Sequence, residues 1–154
     1  MRFTPAHSTL EDVRNDVYNY SQGCQDREVD LKDIEFCGLG RVLIKDFGVW
    51  PTHHAQQQIC SRLRIPYNYL RRCPGEQQTD HLNYWMKREE EKRDTFFIRF
   101  HNRHIRAWFT KRYVPLDNTL ILDKLIEHYG PGQRCSVKWD DNFMNLFIRE
   151  RNGV

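Results

Sequence analysis

The chain has 154 residues, with 24 Lys and Arg against 21 Asp and Glu and a formal charge of +3. Apolar residues reach 39% and aromatics 13%, enough for one packed core and inconsistent with a disordered polyelectrolyte. No apolar run approaches the roughly 20 residues of a membrane span. The start Met1-Arg2-Phe3-Thr4-Pro5 has no apolar leader core, and Cys24, Cys37, Cys60, Cys73 and Cys135 follow no disulfide or metal spacing. These features exclude a disulfide-built secreted domain, a membrane protein and a repeat protein, and predict reduced thiols in the cytoplasm.

Charge is unevenly spread. Residues 61–113 hold 13 basic against 6 acidic side chains, residues 1–60 hold 6 against 9, and residues 114–154 hold 5 against 6. A basic middle between acidic flanks predicts one positive surface.

In chain order, Ser8-Thr9-Leu10-Glu11 has capping-box spacing, and Val13, Val17 and Tyr20 continue at helical intervals, predicting a helix over about 9–20. Residues 21–30 are polar and read as a loop. Ile34–Phe36 and Val42–Ile44 flank Gly38-Leu39-Gly40 as a short hairpin. Thr52 caps a helix with Ala55, Ile59 and Leu63 on one face, and Pro66 opens a short helix from Tyr67 to Arg72. Thr79 caps a longer helix to about Lys92, with Leu82, Trp85 and Met86 inward. Strands over about 95–101 and 104–109 follow. A helix over about 119–129 is capped by Asp117 or Asn118 and stopped by Gly130-Pro131-Gly132. A closing hairpin pairs 134–139 with 143–149. The expected organisation is a helix-and-loop arm over 1–30 and a single α+β domain over 31–154, with antiparallel hairpins forming a sheet and helices packed on one face.

The stretch Thr95 to Phe109 carries the most chemistry. A two-residue turn at Asn102-Arg103 sets cross-strand pairs from 101/104 through 99/106 to 96/109. One face is then wholly apolar: Phe96, Ile98, Phe100, Ile105, Ala107 and Phe109. The other carries Phe97, Arg99, His101, His104, Arg106 and Trp108. Arg99 opposite Arg106 is a like-charge pair, which requires either a carboxylate from elsewhere or a bound anion. Arginines among aromatics match single-stranded nucleic-acid platforms, with Arg99, Arg103, Arg106, Lys111 and Arg112 on phosphates and Phe97, Trp108 and Tyr113 stacking on bases. His101 and His104 lie within the same strip. The plainer alternative buries the aromatics under a helix and pairs the arginines with Glu89–Glu91 or Asp94.

Arg62, Arg64, Arg71 and Arg72 form a second basic patch on the helix pair at 53–73. That pair looks superficially like a helix-turn-helix, but its second helix spans only about two turns and the connecting turn has no glycine. His and Cys spacing matches no metal motif, so neither metal nor cofactor is expected. The clusters Asp30/Asp33/Glu35 and Glu89/Glu90/Glu91 are the only candidates for nuclease chemistry. No phosphate-binding glycine loop or nucleophile elbow is present, and the chain is not expected to be an enzyme.

The sequence also carries Ala55-x-x-Gln58-Ile59-Cys60-x-Arg62-Leu63-x-Ile65-Pro66-x-x-Tyr69, then Asn83-x-Trp85, then Arg103-x-x-Arg106-Ala107 followed by Thr110-x-Arg112-Tyr113 and Asp117-Asn118. Over about residues 30–130 this order resembles an uncharacterised domain family of phage- and plasmid-borne bacterial proteins. The resemblance implies mobile-element biology and a role around DNA, and supplies no reaction. The combined expectation is a protein that binds single-stranded DNA in annealing or recombination and assembles as a homo-oligomer. The alternative from another class is a module that binds a host protein, such as an inhibitor of a defence system or a host enzyme. A metal-dependent nuclease ranks third.

Overall fold

The structure is a computed structural model. It describes residues 2–110, 118–139 and 144–149, with side chains from residue 8 onward. The protein is α+β, and its contacts divide the chain into two units. One joins residues 1–23 to residues 114–154, and the other comprises residues 24–113. This division differs from the expected arm and single domain, because the N-terminal segment pairs with the C-terminal one.

In the terminal unit, β1 (Arg2–Thr9) pairs antiparallel with β8 (Arg134–Trp139), which pairs with β9 (Met144–Ile148). Helices α1 (Leu10–Ser21) and α5 (Asn118–Tyr129) complete it. Leu10, Val13 and Val17 meet Leu122, Cys135, Val137 and Trp139 in its core. The capping box falls one residue later than expected: the Thr9 hydroxyl accepts from Asp12 N–H, and Asp12 accepts from Thr9 N–H. Gly130, at φ +89°, ends α5 as the sequence predicts. The expected caps of that helix and turn of the closing hairpin include residues outside the described ones.

The central unit holds a six-stranded sheet in the order β2-β6-β7-β5-β4-β3. Its strands are β2 (Cys24–Asp30), β3 (Ile34–Phe36), β4 (Val42–Ile44), β5 (Phe47–Pro51), β6 (Thr95–His101) and β7 (His104–Phe109). All pairs are antiparallel except β5 with β7, so the sheet is mixed. Helices α2 (His53–Leu63) and α4 (Gly75–Glu89) bury Ala55, Ile59, Cys60, Leu63, Leu82 and Met86 with Phe96, Ile98, Phe100, Ile105 and Trp108 of the sheet. Burial pushes the Cys60 thiol up to about 11, because an ionised sulfur would be poorly solvated there. Thr52 caps α2 as expected, accepting from Ala55 N–H, and the short helix α3 (Tyr67–Leu70) follows Pro66.

Three expectations need correction here. The segment expected to be a loop, 21–30, contributes the full strand β2 along β6. Helix α4 begins at Gly75 rather than after Thr79, whose hydroxyl instead accepts from Gly38 N–H and donates to the Gly75 carbonyl. Trp85 points outward, 43% exposed, while Leu82 and Met86 are buried.

The register of β6 with β7 is the fourth correction. His101 faces His104 and Phe100 faces Ile105 as expected, but Arg99 then faces Ala107 and Ile98 faces Trp108. Arg106 is the extra residue of a β-bulge, which reverses the facing of every residue after it. Trp108 therefore enters the core, fully buried between Phe36 and Phe96, and Ala107 leaves the core face. The Trp108 backbone N–H donates to Gln58 Oε1 of α2 at 2.8 Å.

Candidate functional site

The face of the central sheet away from its core carries Phe97, Arg99 and His101 of β6, opposite Glu28, Asp26 and Cys24 of β2. Strand alternation places each pair on one side. Arg99 grips Asp26 with two hydrogen bonds, Nε at 2.7 Å and Nη2 at 2.8 Å, and its side chain is only 14% exposed. Arg106 Nη1 lies 3.2 Å from the Cys24 sulfur. The like-charge problem posed by the sequence is thus met by a carboxylate, supplied by the strand that had read as a loop.

Arg103 is placed differently. Asn102, at φ +53°, takes the left-handed position of the two-residue turn, as its side chain favours. The turn projects Arg103 beside β5, where the guanidinium carbon sits 4.5 Å from the Phe47 ring centroid and 5.2 Å from that of Trp50. Its Nη2 donates weakly to the Gly48 carbonyl at 3.4 Å, and among the described residues Arg103 has no carboxylate partner. Phe47 is 57% exposed and Trp50 39%. His104 pairs with Trp50 across the parallel ladder, with their rings 6.2 Å apart. The Arg41 guanidinium lies over Gly48: a Cβ there would come within 3.2 Å of Nη2 and 3.3 Å of Nε. Arg41, Phe47, Trp50, Arg103 and His104 therefore make one exposed basic-aromatic cluster at the turn end of the sheet.

The sequence-predicted residues are distributed as follows. Arg103 and His104 lie in this cluster. Phe97, Arg99, His101 and Arg106 lie on the layer shared with β2, half-buried. Trp108 is in the core and presents no surface for stacking. Lys111, Arg112 and Tyr113 lie outside the described residues. Arg62, Arg64, Arg71 and Arg72 are exposed near α3, with Arg71 over the Tyr67 ring at 5.8 Å. Phe47, Trp50 and Arg41 were missed because Gly48 and Pro51 interrupt the strand pattern that would have announced β5. The composition of Phe47-Gly48-Val49-Trp50, two exposed aromatics around a glycine, was the available sign.

Neighbouring residues of the resemblance have structural work. The Asn83 side chain donates to the Phe36 carbonyl and accepts from its N–H, at 3.0 and 2.8 Å. Among the described residues no three His, Cys, Asp or Glu side chains group to hold a metal ion. Glu89, one of the candidate nuclease carboxylates, is engaged by Arg93 at 2.9 Å and Lys92 at 3.7 Å. No helix among the described residues is long and apolar enough to cross a membrane.

A second exposed group lies on α4, where Tyr84 and Trp85 meet edge to face and Arg88 donates to the Tyr84 hydroxyl at 3.1 Å. Comparison with protein families, curated proteins and solved structures finds no match to this chain.

Proposed function

We propose that the protein binds single-stranded nucleic acid, DNA in the first instance, through the cluster of Arg103, Phe47, Trp50, His104 and Arg41. The observation that carries this reading is the Arg103 guanidinium, exposed between two aromatic rings and without a carboxylate partner among the described residues. Ring contact fixes the orientation of a planar cation whose five N–H donors match phosphate oxygens. Exposed Phe47 and Trp50 add π-faces for unpaired bases, worth about 1–3 kcal/mol per stacked base. Arg62, Arg64, Arg71 and Arg72 supply further positive charge for the strand. An annealing or recombination role in a phage- or plasmid-borne setting, with self-assembly on the strand, is the biological form of the same proposal.

Fluorescence anisotropy with a labelled single-stranded oligonucleotide at about 50 and 200 mM salt tests it. Binding that weakens steeply with salt and is clearly reduced in Arg103→Ala is the expected result. Equal binding by wild type and Arg103→Ala overturns the assignment to this cluster.

A second reading is favoured by the Tyr84, Trp85 and Arg88 group. Tyr, Trp and Arg dominate the energetic centres of protein interfaces, and one helix face presents all three here. In that reading α4 docks a host protein, and Trp85→Ala abolishes partner capture without changing oligonucleotide binding.

A further inference from the structure

A pocket of about 400 Å³ opens beside the cluster, and Phe47 belongs to both. That volume falls near the lower end of the about 300–1,000 Å³ of small-molecule sites. Its floor is apolar and buried, formed by Val29, Val49 and Phe100. Its polar rim is of a different kind from the cluster. Glu28, Asp30 and Asp33 supply carboxylates, Arg27 and Lys45 supply cations, and Gln25 and Asn102 supply amides. Lys45 approaches Asp33 at 3.8 Å, whereas Asp30 has no cationic partner among the described residues. Gln25 Oε1 is occupied by Arg27 Nη2 at 2.6 Å, which leaves its NH₂ to donate.

We infer that this pocket takes up a single nucleobase of the bound strand, one bearing an exocyclic amino group. The inference rests on the single-strand reading above. The two halves of the site separate the two halves of a nucleotide. Arg103 and Arg41 attract the phosphate at the cluster, whereas the pocket rim sets three carboxylates against Arg27 and Lys45, a mixed rim over an apolar floor that suits an uncharged base better than a phosphate. Val29, Val49 and Phe100 offer apolar contact to the ring, and Phe47 stands at the boundary as the shared wall. Asp30 accepts from an amino N–H of adenine, cytosine or guanine, while the Gln25 and Asn102 amides donate to ring nitrogens or carbonyls. Thymine carries carbonyl oxygens where the others carry amino groups, so its one base-edge donor, N3–H, is flanked on both sides by acceptors that oppose the Asp30 carboxylate. Asn102 ties the two halves together mechanically, since it lines the pocket and precedes Arg103 in the turn.

The test uses labelled 12-nucleotide strands of thymidine whose central position is thymine, adenine, cytosine or an abasic sugar, in anisotropy titrations at about 50 mM salt. The wild-type chain is expected to bind the adenine and cytosine strands about 5- to 10-fold more tightly than the thymine and abasic strands, the low end of base discrimination by hydrogen bonding. Asp30→Ala and Gln25→Ala, both at exposed positions, should erase that preference, bringing the adenine and cytosine strands to the affinity of the thymine strand measured with the same variant. Equal affinity for all four strands, with binding still salt-sensitive, overturns the base pocket and leaves the Arg103 cluster standing. A preference that persists in Asp30→Ala and Gln25→Ala also overturns it, by placing discrimination elsewhere. No binding of any strand removes both the pocket and the reading beneath it.

Discussion

Arg99 and Arg103 lie four residues apart on one hairpin and meet opposite fates. Arg99 points across the ladder into Asp26 and is bound in a two-pronged ion pair. Arg103 leaves the ladder at the turn and is held by Phe47 and Trp50 instead of by a carboxylate. A carboxylate satisfies an arginine and consumes its donors, whereas aromatic rings hold its plane and leave the N–H edge available. Which of two neighbouring cations is available to a ligand is therefore decided by the strand beside each one, β2 for Arg99 and β5 for Arg103.

The sharpest way to test this contrast uses two of the four tryptophans, Trp108 and Trp50. Trp108→Ala should destabilise the fold by about 3–5 kcal/mol, as removal of a fully buried aromatic side chain does, measured by chemical denaturation. Trp50→Ala should leave the denaturation midpoint nearly unchanged while weakening oligonucleotide binding by about 1–3 kcal/mol. If Trp108→Ala proves neutral for stability, the bulged register is wrong.

The arginines come next. Asp26→Ala should lower stability by about 1–3 kcal/mol, because it removes the carboxylate that accepts two hydrogen bonds from the partly buried Arg99. Arg99→Ala should leave strand affinity unchanged, and Arg103→Ala should reduce it. The reverse ranking would move the interface to the β2 side of the sheet. Arg103→Ala should also shallow the slope of log affinity against log salt by about 0.7, the loss of one phosphate contact on a single strand.

The smallest effect concerns thiols. At pH 8 an alkylating reagent should label exposed Cys37 first, and Cys60 last, since it stays protonated until about pH 11. A raised thiol pKa in the folded state means stability fully present below about pH 9 and declining as pH climbs towards 11. Cys60→Ala should remove that part of the alkaline decline in thermal melts.

Locally encoded features were legible in the sequence. Thr52 as a cap, the period of Ala55, Ile59 and Leu63, the ends of β6 and β7, and Asn102 at the turn all follow from residues close in the chain. What escaped depended on distant partners. Strand β2 reads Cys-Gln-Asp-Arg-Glu-Val-Asp, with one buried residue, Val29, and it becomes a strand because β6 offers it a ladder. The bulge at Arg106 was equally hidden. A regular register separated apolar from polar side chains more cleanly, yet the structure prefers to bury Trp108, whose backbone N–H donates to Gln58 of α2. The candidate site was half legible: Arg103 and His104 came from the hairpin's own residues, while Phe47, Trp50 and Arg41 needed the β5–β7 pairing to join them.

The bulge also divides the hairpin into two stretches with independent tolerances. From Arg106 towards Phe109 the strand's phase is locked by Trp108, so a substitution there is judged by how it fits among Phe36, Phe96 and α2. From Ile105 back to the turn the phase is set separately, by Ile105 itself, fully buried beside Pro51 of β5, so the out-of-step Arg106 lies between two anchored stretches. A substitution at the exposed tip, residues 102–104, therefore alters what the protein presents to solvent rather than what Trp108 packs against, and Arg106 acts as a mechanical clutch between the two stretches.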